Sequence, residues 1–154
     1  MSLELKAGPT SLERLQTAIA RLVQKHGFLE ISAEMPVDRS NAHLVALLLT
    51  EDPQRNLEVL DACVILPEAL KPLGEQIARQ VAGPEVSAPL LQRYGVARAP
   101  AVLFLRDGEF VGVLQGIRDW NEYQAEVERL LAGPAQPKPI GIPVRVANTQ
   151  GACV

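Results

Sequence analysis

The sequence predicts an α/β fold in which helices cover both faces of a mixed sheet, and three observations support it. Two aliphatic runs, LVALLL at Leu44–Leu49 and PAVLFLR at 100–106, lack the polar alternation of a strand with one wet face, so each is expected to be covered on both sides. Segments around them repeat apolar residues every three or four positions, the helical period. Asp107 and Gly108 form a hairpin signal that returns the second run through 110–114. Strand, helix, strand, helix, hairpin and closing helix then place the first strands in parallel and the last antiparallel.

Taken in order, TSLERLQTAIARLVQKHG predicts a helix over 10–27. Leu12, Leu15, Ile19 and Leu22 form its apolar stripe, Ser11 is expected to cap it and Gly27 to end it. Residues 28–31 read as a minor strand. A linker with Pro36, Asp38, Ser40 and Asn41 precedes the run at Leu44–Leu49, which belongs in the middle of the sheet. TEDPQRN is a turn-rich loop, and NLEVLDACVILPEALKPL predicts a helical region interrupted or bent near Pro67, which has no N–H to donate. A strand is expected at 76–81, ended by Gly83 and Pro84, and a short helix through Pro89, Leu90, Leu91 and Tyr94. Asp119 and Glu122 make a capping box for the last helix, whose buried face is Tyr123, Val127, Leu130 and Leu131, with Gly133 and Pro134 as its stop. From Pro134 the chain carries Pro137, Pro139, Gly141 and Pro143 without helical periodicity. The organisation expected is one domain over 1–133 followed by an extended, mobile tail over 134–154.

Composition narrows the function. With 154 residues, 47% apolar but only 4% aromatic, the chain can build one core of Leu, Val, Ile and Ala. A net charge of -3 gives no basic patch for nucleic acid or anionic lipid. No run approaches the ~20 apolar residues of a membrane span, and the start lacks a basic segment followed by an apolar one, so the expected location is the cytoplasm without membrane insertion. Cys63 and Cys153 lack CxxC spacing, and no GxGxxG, GKS/T or HExxH motif occurs, so no cofactor, metal or catalytic residue is assigned.

Tyr94, Gly95, Val96 and Pro100 before the strand, Asp107, Gly108 and Glu109 at the turn, and Gly116 before the last helix resemble the thioredoxin superfamily over about 44–131. The resemblance implies a three-layer fold with a cis bond before Pro100, which would face the active-site end, and an Ala99 backbone able to pair with an extended peptide. Thioredoxin chemistry needs two cysteines at a helix start. Anchoring on the central strand puts PQRN (53–56) at that motif, and anchoring on Pro67 puts VLDA (59–62) there; neither contains cysteine. Cys63 falls within an apolar helix, where it reads as a small hydrophobe.

The chain also resembles the HyaE/HupG family of hydrogenase expression proteins, on LLLTEDPQR followed by ILPEAL in a cysteine-poor scaffold with an added N-terminal helix and a Pro-rich tail. That resemblance implies a cytoplasmic, noncatalytic chaperone for NiFe-hydrogenase maturation. Its partner would be the hydrogenase small-subunit precursor, bound through the twin-arginine signal peptide before export, with other hydrogenase maturation proteins as further partners. The client-binding candidates are Ala99 and Pro100, which would hold peptide backbone, and Glu51 and Asp52, whose carboxylates match arginine in forked hydrogen bonds. The other acids nearby, Glu58 and Asp61, and the two histidines, His26 and His43, are assigned no catalytic role. Trp120 becomes a binding anchor only if it lies at the surface. The rival reading is a single-cysteine thiol-disulfide oxidoreductase or peroxidase acting through Cys63; a third is a structural subunit of a larger complex.

Overall fold

The computed structural model describes residues 8–32, 44–116 and 119–132. The linker with Pro36, Asp38, Ser40 and Asn41, His43, Gly133, and the tail from Pro134 with Cys153 lie outside them, as does the side chain of Leu131.

Helix α1, Ser11–His26, buries Leu15, Ile19 and Leu22. Its cap is Thr10, one residue earlier than expected. Thr10 Oγ1 accepts from the Glu13 N–H at 3.1 Å, and Glu13 Oε1 accepts from the Thr10 N–H at 2.8 Å, a complete capping box. This leaves the Ser11 hydroxyl free for a contact across the molecule. Gly27, at φ 74°, ends the helix in the left-handed conformation.

Strands β1 (Leu29–Ile31), β2 (Leu44–Leu49), β3 (Ile77–Ala82), β4 (Ala101–Arg106) and β5 (Glu109–Gln115) form one sheet in the order β1-β3-β2-β4-β5. β3 pairs in parallel with β1 and β2, β4 runs antiparallel to β2, and the β4–β5 hairpin turns at Asp107 (φ 55°) and Gly108 (φ 82°). Two consecutive positive φ angles are what a tight two-residue hairpin requires. This is the thioredoxin-like α/β arrangement expected, with β2 at the centre.

Helix α2, Glu58–Leu70, runs through Pro67 without interruption. The one backbone bond that Pro67 cannot make is offset by a face that buries Val59, Ala62, Cys63, Leu66, Ala69 and Leu70. A 3-10 segment, Lys71–Gln76, leads into β3, and Arg79 secures the junction by donating to the carbonyls of Leu70 (2.8 Å), Gly74 (2.9 Å) and Ile77 (3.0 Å). Helix α3, Pro84–Arg93, starts at Pro84 itself, since proline's fixed φ suits the first helical position. Helix α4, Trp120–Ala132, has the expected Asp119–Glu122 capping box.

The two faces carry separate cores. On one, α1, α2 and α4 pack Leu15, Leu66 and Tyr123 against Leu48, Val81 and Phe104. On the other, α3 covers Leu47, Leu49, Leu103 and Leu105, and Tyr94 stacks on Phe110 at 5.5 Å between ring centroids. Gly112 in β5 lets α4 approach, because a Cβ there would lie 3.2 Å from Leu130 Cδ2.

Gln80 breaks the apolar pattern of β3. It is fully buried, and among the described residues neither its amide nitrogen nor its amide oxygen has a hydrogen-bond partner. An unpaired buried amide costs about 1–3 kcal/mol. Gln80→Met, which keeps the length and removes the amide, is therefore expected to raise unfolding stability by about 2 kcal/mol in a denaturant titration.

Candidate functional site: grooves across the strand ends

The strand register brings Ile31, Ala82, Leu49, Ala101 and Gln115 to one end of the sheet. Carboxyl ends of parallel strands are where open α/β sheets bind ligands, because the connections diverge there. A buried hydrogen-bond node fixes this end. Ser87 Oγ in α3 accepts from the Thr50 N–H at 2.8 Å and donates to the Ala82 carbonyl at 2.9 Å, while Thr50 Oγ1 donates to the same carbonyl at 2.6 Å. The node ties β2, β3 and α3 together just where the 51–56 loop departs.

That loop is shaped by its own polar groups. Asp52 Oδ1 accepts from the Ser11 hydroxyl of α1 and from the Gln54 N–H at 2.9 Å. These hydrogen bonds, with Arg55 nearby, hold the Asp52 carboxyl below its ordinary pKa. Asn56 lies two residues before α2. Its Oδ1 accepts from the Glu58 N–H at 3.0 Å, and its Nδ2 donates to the Ala99 carbonyl at 3.2 Å. The Ala99–Pro100 bond is cis, and both residues are buried.

Of the two registers, PQRN supplies Asn56, which faces Ala99, whereas Val59 and Ala62 of VLDA are buried in the core. The residue facing the backbone before the cis proline is therefore an amide, Asn56. Cys63 lies in the core at 6% exposure, and burial pushes its thiol up to about 12. A thiol protonated to that extent is a poor nucleophile at neutral pH, which weighs against chemistry through Cys63.

Two open grooves flank Arg55. One, about 370 Å³, is lined by Asn56, Glu58, Arg98, Ala99 and Gly116 as well as Arg55. The other, about 340 Å³, is lined by Leu12, Thr50, Glu51, Asp52, Pro84 and Arg55. The four predicted residues are thus divided: Ala99 lines the first groove with Pro100 beside it, and Glu51 and Asp52 line the second. Leu57 (67% exposed), Leu12 (45%) and Trp120 (45%) are apolar side chains left open to solvent, so Trp120 meets the surface condition set for it. Asn56, Arg55, Arg98 and Ser87 were not singled out by sequence reasoning. An asparagine just before a helical pattern is a detectable cap signal, but its bond to Ala99 spans 43 positions and leaves no local trace.

Among the described residues no group of three or more His, Cys, Asp or Glu is placed to hold a metal, and no helix is long and apolar enough to cross a membrane.

Residues 18–123 match the family described as hydrogenase-1 expression protein HyaE. The hydrogenase expression/formation protein HoxO of Cupriavidus necator is 36% identical over 149 residues, covering 94% of this chain and 92% of that protein. The hydrogenase expression/formation protein HupG of Rhodobacter capsulatus is 35% identical over 118 residues, covering 74% and 84%. Among solved structures, human ERp44 in its zinc-bound form overlaps 68% of this chain and 32% of its own at TM-score 0.55 and 15% identity, a likeness of fold alone.

Proposed function

The chain belongs to the HyaE family of hydrogenase expression proteins, and from that membership we propose that it is a noncatalytic cytoplasmic chaperone of NiFe-hydrogenase maturation that binds the twin-arginine signal peptide of the small-subunit precursor before export. One observation carries the noncatalytic part: the position facing Ala99 is held by the Asn56 amide, while Cys63 sits in the core. A surface so built can grip a chain, and among the described residues it presents no thiol to exchange electrons.

The client's backbone runs past Ala99 and Pro100, and its arginine pair reaches the loop of Glu51 and Asp52. The two grooves that meet at Arg55, and the exposed Leu12 beside the acidic one, support this course. Asp52 accepts hydrogen bonds that shape the loop, so Glu51 is the freer of the two carboxylates to meet a guanidinium. Carboxylate–arginine contacts are worth about 1.5–3 kcal/mol, so Glu51→Lys is expected to weaken a labelled small-subunit signal peptide by about tenfold or more in fluorescence anisotropy. Adding Asp52→Lys should deepen the loss. Unchanged affinity in both variants would remove the acidic loop from the site.

A further inference from the structure

A third groove, about 400 Å³, lies between α1 and the start of α3, and it shares Leu12 and Pro84 with the acidic-loop groove. Its apolar wall is Leu12, Leu15 and Ile19 from one face of α1, with Val86 from α3 opposite. Among the described residues, the charged ones lining it are Glu30 of β1 and Glu85 of α3. Glu85 meets the positive end of the α3 dipole, and Glu30 adds a charge that no lysine or arginine among the described lining residues offsets. An apolar wall with two carboxylates at its rim is complementary to a cation beside aliphatic side chains.

The charge pattern changes along the row of grooves. Among the described residues it is acidic at Glu30 and Glu85, mixed at Glu51, Asp52 and Arg55, and includes the cations Arg55 and Arg98 with Glu58 at the Ala99 end. From β1 to β5 the sheet makes four inter-strand steps of roughly 4.8 Å, about 19 Å, which about six extended residues would cross.

We infer that the α1–α3 groove is a second docking subsite, taking a basic residue followed by aliphatic residues of an extended peptide whose remainder crosses the acidic loop toward Ala99. The subsite extends the signal-peptide reading and rests on it for the identity of the client, but its own chemistry is testable without that client.

Two probes separate the questions. A designed peptide with two lysines followed by three leucines, and no arginine pair, reports on the groove; the small-subunit signal peptide reports on the client. The full-length chain is expected to bind the designed peptide, and Glu30→Gln with Glu85→Gln to weaken it at least tenfold, while Glu109→Gln, exposed at the opposite end of the sheet, changes it less than threefold. Equal affinity in wild type and the double variant, or no binding by either, overturns the subsite. Failure of the signal peptide alone overturns the client assignment and leaves the subsite standing. Sedimentation of the same proteins tests the other occupant: a dimer dissolved by the double variant would give the groove to a second copy of this chain and overturn the inference.

Discussion

Between pH 9 and 12 the folded chain is expected to lose about 1.4 kcal/mol of stability per pH unit through Cys63 alone. The ordinary value of this thiol is 9.0, and burial raises it to about 12 in the folded state. Below pH 9 both folded and unfolded chains hold the proton, and the contribution to stability is complete. Above it the unfolded chain releases the proton while the folded one retains it, so the unfolded state binds fewer protons and stability falls as pH rises toward 12. Cys63→Ala should remove that component of the slope, and denaturant titrations of the two proteins at pH 8, 10 and 11 measure it as a difference. The same burial predicts that a disulfide reagent modifies Cys63 in the native protein far more slowly than in the unfolded one. Matching slopes together with rapid native modification would refute the burial and restore the thiol-enzyme reading.

The second large effect is at Ser87. Ser87→Ala deletes the acceptor of the Thr50 N–H and one of the two donors to the Ala82 carbonyl, all inside the protein. A buried N–H stripped of its partner costs about 1–3 kcal/mol, and with the lost hydroxyl contact the expected destabilisation is about 3 kcal/mol. Thr50→Val is the control. It removes only the Thr50 hydroxyl, leaves Ser87 bonded on both sides, and should cost about 1 kcal/mol. Chemical denaturation ranks the pair, and equal losses would mean that the node is not organised around Ser87. Because Thr50 and Pro84 line the acidic-loop groove, Ser87→Ala should also weaken peptide capture at temperatures where the protein stays folded.

Much of the fold was legible because its constraints are local. β2 and β4 are covered on both faces and so read as unbroken aliphatic runs, and the Asp107-Gly108 turn and the Asp119 cap depend on neighbours within three positions. β3 was harder to bound, since Arg79 and Gln80 interrupt it with polar side chains. Arg79 is there to close the carbonyl end of α2, which only the folded chain reveals. Thr10 and Ser11 are both competent caps, and what separates them is that the Ser11 hydroxyl reaches Asp52, 41 positions away. The candidate site was half legible for the same reason. Ala99 and Pro100 were implied by the thioredoxin resemblance that Tyr94, Gly95 and Val96 carry, whereas the Asn56 contact and the grooves arise when distant segments meet at the strand ends.

The Asn56 amide that spans from the start of α2 to Ala99 carries one further consequence. A carboxamide, unlike a thiol, is not switched by cellular oxidants or reductants, so this link between α2 and the residue before the cis proline is expected to persist equally under air and under strict reduction.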